Sequence, residues 1–303
     1  MTDTCPLCGA RRGLAREHYS YSETWAALER AFSAEFGDAL KARLTPSPEA
    51  DLVECGSCGL QYFSPAREGD PEFYARLMTP MGYDPLRWEF EVVAAVLRPD
   101  DRLVDFGCGD GAFLKLAAPR VSSAVGIDHN EDAVAALHRA GFDAHAGGFD
   151  SLPDSERGTF GVACAFQVLE HMLSPEELLE PMIESLRTGG RLFLAVPNRE
   201  RCLQEELEPL DRPPHHVTRW SARQLGPLAE RFGLKLVRRE FAPPTLGEAV
   251  ELARRSAPLP GRAVGALWWR VLVGSRRHRR RVEAGVYHLR GIHGHTLLAE
   301  LEK

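Results

Sequence analysis

Apolar residues in the middle of the chain form short runs that are separated by polar turns containing glycine. Such runs occupy residues 103–106, 124–127, 160–166 and 192–196, and each has the length of a buried β-strand. Ahead of them, apolar residues between Pro85 and Leu97 recur at helical spacing, and Pro99 ends that pattern. The sequence therefore predicts a helix over residues 85–97, followed by strands, turns and further helical segments.

A second helical pattern lies near the N-terminus. One face of the predicted helix carries Trp25, Leu28, Phe32, Phe36 and Leu40. The segment of residues 45–48, which contains two prolines, ends the pattern. We expect one helix here, which either packs on neighbouring elements or forms one wall of the substrate pocket.

This helix lies between two copies of one cysteine motif. The motif is C-x-x-C-G, and its cysteines are Cys5, Cys8, Cys55 and Cys58. A tight turn with two residues between cysteines directs both sulfurs at one ion, and the following glycine permits a left-handed backbone. Two such turns predict a four-thiolate site for Zn²⁺ with a structural role. Two disulfides, two redox C-x-x-C pairs and an iron–sulfur cluster are the alternative interpretations.

The most informative segment is the first strand of the middle region with the turn that follows it. Asp105 at the end of this strand precedes Gly107, Gly109 and Gly111, which have the spacing G-x-G-x-G. Such a turn lets the backbone approach a ligand closely, and the helix that it opens offers free N–H groups. The next strand ends in Asp128, where a carboxylate is placed to accept hydrogen bonds from both ribose hydroxyls of a nucleoside.

The main alternative interpretation of this pattern is a dinucleotide-binding dehydrogenase. Its motif, G-x-G-x-x-G, would place glycine at the position of Ala112, which the looser form of the motif tolerates. The downstream segments decide between the two classes. DFGCGDG (105–111), GID (126–128), AFQVLEH (165–171) and LRTGGRLFLAVPN (186–198) resemble motifs of the class I S-adenosylmethionine-dependent methyltransferases. The paired C-x-x-C-G motifs ahead of them resemble a subgroup with an N-terminal zinc ribbon.

The resemblance implies a fold and a domain organisation. The fold is an α/β, seven-stranded, mostly parallel, doubly wound sheet of the Rossmann-like methyltransferase type, with a small N-terminal zinc-binding module. Residues 234–241 would form the sixth strand and residues 295–301 an antiparallel seventh strand. Residues 1–66 are expected to form the zinc-ribbon module with its helical insert, and residues 67–303 the methyltransferase domain, with a basic helical insert or lid at 242–290.

The resemblance also implies S-adenosylmethionine as the methyl donor and assigns the residues that bind it. By position these are Asp105, Gly107, Gly109, Gly111, Asp128 and Gln167, with Gln167 beside the sulfonium. Gly148 stands where an adenine-binding Asp is common in the family. Phe149 and Asp150 are therefore the candidates for the adenine-binding role.

Methyl transfer to oxygen or carbon also requires removal of the acceptor's proton, and histidine is well matched to this task at neutral pH. The candidates are His171, after the fourth strand, and the pair His215 and His216, in the loop beyond the fifth. For His171 the alternative is packing under the cofactor. We interpret Glu170 as a residue that starts a helix rather than as a base.

Asn198 and Tyr83 are the candidate substrate-binding residues. Asn198 follows a strand at the edge where open α/β sheets bind ligands, or it is a turn residue after Pro197. Tyr83, and Tyr74 before it, either close over the cofactor or take part in ordinary packing.

Charge adds one feature to this picture. The 303 residues carry a formal net charge of −6, but residues 254–290 alone contribute +9 from ten Arg and one Glu, so the rest of the chain carries −15. This basic segment is interpreted as an exposed or oligomer-forming helical hairpin, as a lid that binds a phosphate or carboxylate of the substrate, or as a patch for nucleic acid or an anionic membrane.

Composition limits the cellular setting. Hydrophobic residues make up 44% of the chain, the seven cysteines are odd in number, and the sequence shows neither a signal peptide nor an apolar run of the ~18–20 residues that a membrane helix needs. We expect a soluble, cytoplasmic protein.

Together these features predict a methyltransferase that uses S-adenosylmethionine to methylate an oxygen or carbon of a small molecule, such as a natural product or a sugar-linked metabolite. The expected partners are this acceptor, which the basic segment suits if it is anionic, and a second copy of the chain. An RNA methyltransferase is the first alternative, although residues 167–170 lack the Asn/Asp-Pro-Pro-Tyr-like turn that grips a flipped base. A non-catalytic adaptor that binds S-adenosylmethionine is the second.

Overall fold

The computed structural model of the chain describes residues 4–81, 87–148, 150–203, 207–245, 248 and 293–303. Tyr83, Phe149 and the basic segment 254–290 lie outside the described residues, and so does most of the predicted insert at 242–290. Among the described residues, no helix combines the length and the apolar character that crossing a membrane requires.

The described residues form β-strands and α-helices that we number in chain order. The strands are β1 (Leu14–Ser20), β2 (Glu49–Glu54), β3 (Gln61–Ser64), β4 (Arg102–Phe106), β5 (Ser123–Asp128), β6 (Asp143–Ala146), β7 (Phe160–Phe166), β8 (Leu186–Pro197), β9 (Thr218–Arg219), β10 (Lys235–Phe241) and β11 (Thr296–Glu302). The helices are α1 (Tyr21–Phe32), α2 (Asp38–Leu44), α3 (Pro71–Met81), α4 (Trp88–Ala94), α5 (Ala112–Ala117), α6 (Glu131–Arg139), α7 (Glu176–Ser185) and α8 (Leu225–Arg231).

Seven of these strands form one sheet in the order β10-β11-β8-β7-β4-β5-β6. Strands β4 to β8 pair in parallel, whereas β11 is antiparallel to both β8 and β10. The central strand β7 is buried at all seven residues, as expected for an apolar run with helices on both faces of the sheet. The predicted α/β fold is confirmed, and β10 and β11 agree with the predicted sixth and seventh strands to within one residue.

Two apolar layers cover the faces of this sheet. The layer on one face includes Phe90, Phe113, Phe166 and Phe193. The layer on the other face includes Phe106, Phe160, Met182 and Leu228, and it continues without interruption into Leu7 and Tyr62 of the N-terminal region. The N-terminal region and the large sheet therefore share one core.

A smaller antiparallel sheet has the order β1-β2-β3-β9. Its first three strands come from the N-terminal region, whereas β9 belongs to the segment after β8. Gln61 pairs with Arg219 and Tyr62 with Thr218. The loop before β9, which carries the candidate histidines, is thus fixed to the N-terminal sheet. The domain boundary after residue 66 stays a prediction.

The prediction of one helix over residues 25–40 is wrong. The segment forms two helices, because Ser33 ends α1 with a left-handed backbone (φ 53°) and Gly37 precedes α2. Trp25, Phe36 and Leu40 are nevertheless buried in one cluster, since both helices fold onto the same centre. The spacing of apolar residues predicts which side chains face the core, but it does not show that the helix is interrupted between them.

Two smaller boundaries also differ from the prediction. Helix α4 ends at Ala94 rather than at Leu97. Strand β8 begins at Leu186, directly after α7 ends at Ser185, and is therefore longer than the apolar run at 192–196 predicted.

Candidate active site

The carboxyl ends of β4, β5, β7 and β8 lie at one edge of the large sheet. The chain order of the strands reverses between β4 and β7, and open α/β sheets bind their ligands where this occurs. A cleft of about 2190 Å³ lies there. Pockets for one drug-sized ligand measure roughly 300–1,000 Å³, so this cleft has room for two ligands side by side.

The glycine-rich turn after β4 lines this cleft. Gly107, Gly109 and Gly111 have φ values of 78°, 53° and 74°, in the left-handed region that favours glycine. A Cβ at Gly107 would lie 2.6 Å from Cγ2 of Val168, so a side chain there would also displace its neighbour. The turn needs glycine for conformational and for steric reasons.

Asp128 lies at the end of β5, next to the turn. Its Oδ2 accepts a hydrogen bond from the backbone amide of Gly109 at 2.7 Å, and its Oδ1 accepts one from the amide of Asn130 at 2.8 Å. An ionised carboxylate has about four lone-pair positions, so each oxygen retains capacity for a further donor. The carboxylate is held in one orientation and can still accept hydrogen bonds from a diol.

Asp105 is buried at the end of β4, and its Oδ1 has no hydrogen-bond partner among the described residues. Burial, and then the negative charge of Asp128, raises the pKa of Asp105 to about 8. Buried polar atoms in proteins normally have a hydrogen-bond partner, so an unpartnered oxygen that lines a cleft indicates a place for a ligand group.

Gln167 follows β7 with a left-handed backbone (φ 57°), and its Nε2 donates to Oε1 of Glu89 at 3.3 Å. Asp150 lines the cleft beside Gly148. Asp105, Gly107, Gly109, Asp128, Asp150 and Gln167 therefore line one cleft, whereas Gly111 is not among its lining residues and packs close to Leu137. Sequence analysis missed Glu89, which is buried in α4 and lines the same cleft.

Three histidines meet on another part of the cleft wall. His171 ends the 3₁₀ turn Leu169–His171 after β7, and His215 and His216 lie in the loop before β9. One ring nitrogen from each lies within 4.8 Å of the others, and the ring centroids are 4.3 to 5.0 Å apart. The structure thus brings together all three residues that the sequence offered as bases.

The surroundings of all three histidines favour the neutral imidazole. Burial is the main cause that lowers the pKa of each ring, and it lowers that of His171 to about 3. Nδ1 of His171 lies 2.7 Å from the carbonyl oxygen of His215, and Nδ1 of His215 lies 2.9 Å from that of Leu210. A carbonyl oxygen only accepts, so both Nδ1 atoms carry the proton and both Nε2 atoms hold a lone pair.

Tyr74, on α3, also contacts His171. Its Oη lies 3.0 Å from Nδ1 of the histidine, and the two rings meet edge to face with centroids 5.4 Å apart. Because α3 packs through the neighbouring Phe73 on Trp25 and Phe36, it connects the N-terminal helical insert with the histidines. No described residue of α1 or α2 lines the cleft itself.

Glu170 lies beneath the histidines and is 1% exposed. Neither carboxylate oxygen has a hydrogen-bond partner in another residue within the described part of the chain. Its Oε1 lies 4.0 Å from Nε2 of His171 and 3.9 Å from Nε2 of His216. Burial raises the pKa of Glu170 to about 8. It belongs to a short helical turn, as expected, but its side chain also lines the cleft.

A buried ion pair supports His216 from the other side. Nη2 of Arg201 donates to Oδ2 of Asp211 at 2.7 Å, and Oδ1 of Asp211 lies 3.6 Å from Nδ1 of His216. Burial opposes ionisation of Asp211, but the neighbouring side chains of His216 and Arg201 outweigh this effect and hold its pKa below the usual range. Sequence analysis missed this pair, because neither residue stands in a motif.

A family model described as a methyltransferase domain matches residues 81–239. The match spans more than half of the chain and includes the glycine-rich turn, Asp128 and the three histidines. The chain belongs to this methyltransferase family. The family expected from the sequence motifs is therefore confirmed.

Curated relatives match this methyltransferase region. The ubiquinone biosynthesis O-methyltransferases of Idiomarina loihiensis and Hahella chejuensis are 29% and 31% identical over 104 and 122 residues, which are 32% and 38% of this chain and 43% and 51% of theirs. A probable S-adenosylmethionine-dependent methyltransferase of Mycolicibacterium smegmatis is 28% identical over 137 residues, or 44% of this chain and 52% of the relative. The chain thus spans about half the length of the curated relatives it matches.

Solved methyltransferase structures are similar as well. A S-adenosylmethionine-dependent methyltransferase from Archaeoglobus fulgidus has a TM-score of 0.49 and 19% sequence identity, over 77% of this chain and all of that one (100%).

The four N-terminal cysteines of this methyltransferase-family chain surround one point. Their sulfur atoms all lie within 4.8 Å of one another, with Sγ of Cys5 3.6 Å from that of Cys58 and Sγ of Cys8 3.5 Å from that of Cys55. All four are free, whereas a disulfide would need an S–S distance of ~2.05 Å. Burial raises the pKa of Cys55, but hydrogen bonds from nearby backbone amides outweigh this effect and bring it to about 7.

Asn198 is buried after β8 and is not among the described residues that line the cleft. Its Oδ1 accepts a hydrogen bond from the amide of Glu200 at 3.0 Å, and its Nδ2 donates to the carbonyl of Gly294 at 3.4 Å. These contacts order the turn after Pro197. A substrate-binding role for Asn198 stays a prediction.

Proposed function

We propose that the protein is an S-adenosylmethionine-dependent methyltransferase that methylates an oxygen or carbon atom of a small-molecule acceptor. One observation carries this proposal. The cleft of a methyltransferase-family fold presents a buried carboxylate, Asp105, whose Oδ1 has no partner among the described residues, together with three histidines whose surroundings favour the neutral imidazole. Asp105 is suited to binding a cationic cofactor, and the histidines are suited to removing a proton from the acceptor.

The residues at the cofactor end fit S-adenosylmethionine. The unpaired Oδ1 of Asp105 can accept a hydrogen bond from a cationic ligand, and Asp128 retains lone pairs for the ribose hydroxyls. The turn at Gly107 to Gly111 allows close backbone approach. Gln167 would lie beside the sulfonium and Asp150 beside the adenine, and Phe149 stays a candidate for the adenine site. When bound, the cofactor supplies an electrophilic methyl group.

The chain's own task is orientation and proton removal. Placing the acceptor in line with the methyl group is worth up to ~7–11 kcal/mol of the barrier in favourable cases. The acceptor's proton must also leave, and Nε2 of His171, His215 or His216 is positioned to assist this step. The carbonyls of His215 and Leu210 hold two of the rings in the required tautomer.

The cysteine cluster is proposed to hold a structural Zn²⁺. Four thiols around one point, from two C-x-x-C-G turns, fit a closed tetrahedral site that leaves no position for a substrate.

A small acceptor is favoured over RNA. The described lining of the cleft includes Glu68, Glu72, Glu176, Glu177 and Glu180, and its basic members are Arg87 and Arg201. Carboxylates repel a phosphate backbone, and nucleic-acid sites depend on Lys and Arg. Two of the relatives bear names of O-methyltransferases, which favours oxygen as the acceptor atom.

Transfer of a labelled methyl group tests the proposal. The full chain is incubated with methyl-labelled S-adenosylmethionine and with either the small-molecule or the RNA fraction of a cell extract. We expect label in the small-molecule fraction, together with S-adenosylhomocysteine. Label in RNA would support the first alternative, and binding of the cofactor without any S-adenosylhomocysteine would support the adaptor.

A further inference from the structure

We propose that the histidine cluster binds a divalent transition-metal ion through Nε2 of His171, His215 and His216, with the carboxylate of Glu170 as a fourth group. This site is separate from the cysteine cluster. The inference rests on the proposed function, since it assigns a cation and an oxygen acceptor to the same cleft. The preferred ion is Zn²⁺, because imidazole and carboxylate ligands suit it.

The hydrogen bonds of the rings are those of metal ligands. A histidine that binds a metal through one nitrogen usually donates its other N–H to a carbonyl or carboxylate, which fixes the tautomer and the ring orientation. His171 and His215 have this partner in a backbone carbonyl, at 2.7 and 2.9 Å. Nδ1 of His216 lies 3.6 Å from the carboxylate of Asp211, which Arg201 holds in place.

The backbone brings two adjacent rings to the same side. The amides of His215 and His216 both donate to the carbonyl oxygen of Arg212, at 3.1 Å each. This tight turn places the two ring centroids 4.3 Å apart, and that of His171 lies 4.7 and 5.0 Å from them. One nitrogen from each ring can therefore reach a common ion.

Glu170 supplies an independent observation. Its carboxylate is 1% exposed, has no hydrogen-bond partner in another residue of the described chain, and lies 3.9 and 4.0 Å from Nε2 of His216 and His171. Buried carboxylates are expected to be paired with a cation or to coordinate a metal. A divalent ion held by the three histidines would supply such a partner within reach of the Glu170 carboxylate.

The site indicates the class of acceptor. Three imidazole ligands leave a tetrahedral zinc ion one position for an oxygen ligand, with the carboxylate of Glu170 beside it. An acceptor with a hydroxyl, phenol or enol oxygen would bind there and would lose its proton more readily, because a bound cation lowers the pKa of an oxygen ligand. With the ion in place, the three histidines act as its ligands rather than as separate bases.

Metal content and the spectrum of bound Co²⁺ test the site. We expect about two zinc ions per full chain after dialysis against Zn²⁺, one in His215→Gln and one in Cys55→Ser. His18→Gln, which changes an exposed histidine outside the cluster, is the matched control and keeps two. Co²⁺ in Cys55→Ser should lack the thiolate-to-cobalt charge-transfer bands and retain the weaker visible bands of a nitrogen and oxygen site. Unchanged binding of S-adenosylmethionine shows that a variant is folded.

One zinc per wild-type chain, lost entirely in Cys55→Ser and unchanged in His215→Gln, would overturn the proposal. If His215→Gln does not fold, His171→Gln provides the same comparison at a residue from another element. The measurement needs no acceptor, so it is separable from the proposed function. Two zinc ions without methyl transfer would support the histidine metal site and refute the proposed function. One zinc ion with methyl transfer would refute the metal site and support the proposed function.

Discussion

Gln224 donates a hydrogen bond from Nε2 to the carbonyl oxygen of Cys58, at 2.9 Å. Arg199 makes the equivalent contact with the next residue, through Nη1 to the carbonyl of Gly59 at 2.8 Å. These two side chains lie at either end of the segment that carries His215 and His216. The second cysteine turn is therefore bound directly to the segment that forms one wall of the cleft.

Loss of the cysteine-bound metal should loosen this wall without affecting the cofactor end. Cys55→Ser is expected to release the metal and to increase backbone hydrogen exchange over residues 212–224, while the affinity for S-adenosylmethionine stays unchanged. Cys202→Ser is the matched control, because Cys202 is free and outside the cluster. Retained zinc, or unchanged hydrogen exchange in that segment after its loss, would contradict this coupling.

Asp128→Ala should weaken cofactor binding. Hydrogen bonds to a charged group contribute roughly 1.5–3 kcal/mol, which corresponds to an increase in Kd of about 10- to 150-fold. Calorimetric titration with S-adenosylmethionine measures this change. Asp154→Ala removes the same charge from a side chain that is 98% exposed, and it should leave the Kd unchanged. Equal Kd values for the two variants would refute the assignment of Asp128.

Asp105 should make the stability of the ligand-free protein depend on pH. Burial raises its pKa from 3.8 to about 8, so the folded protein holds this proton more tightly than the unfolded chain. Its contribution to stability is present below about pH 3.8 and is lost as the pH rises through about 8. Asp105→Asn should therefore stabilise the ligand-free protein more at about pH 8 than at about pH 5. Urea unfolding at both values tests this, and an equal gain at both would contradict the raised pKa.

Tyr74→Phe should lower turnover without changing cofactor affinity. The variant removes the hydroxyl that lies 3.0 Å from Nδ1 of His171 and keeps the packing of the ring. One hydrogen bond contributes about 0.5–1.5 kcal/mol, so we expect kcat to fall by roughly 2- to 12-fold. Tyr21→Phe, which removes a hydroxyl bound to the carbonyl of Pro65, is the control. A fall in kcat of the same size in both variants would exclude a specific role for Tyr74.

The fold and the cofactor end of the cleft followed closely from the sequence. Asp105, the three glycines and Asp128 are local features of two strand ends, and the parallel sheet places such ends side by side. Patterns between residues close in sequence were therefore sufficient to predict the sheet and the position of these residues.

The acceptor end depends on contacts between distant residues, which local patterns do not contain. His171 and His215 were each named from the sequence, but their contact joins positions 44 residues apart. The pairing of Tyr62 with Thr218, which fixes the histidine loop to the N-terminal sheet, joins still more distant positions. Arg201, Asp211 and Glu89 had no motif, because each acts through a partner that only the folded chain supplies.

The reaction proposed for this cleft is transfer of a methyl group from S-adenosylmethionine to a small molecule. The most direct measurement uses trideuteromethyl-labelled cofactor with the small-molecule fraction of a cell extract, and quantifies S-adenosylhomocysteine and the labelled product by mass spectrometry. We expect equal amounts of S-adenosylhomocysteine and labelled product with the wild-type chain, and a large loss of both with Asp128→Ala. Absence of S-adenosylhomocysteine with the wild-type chain, or undiminished formation with Asp128→Ala, would contradict the proposed reaction.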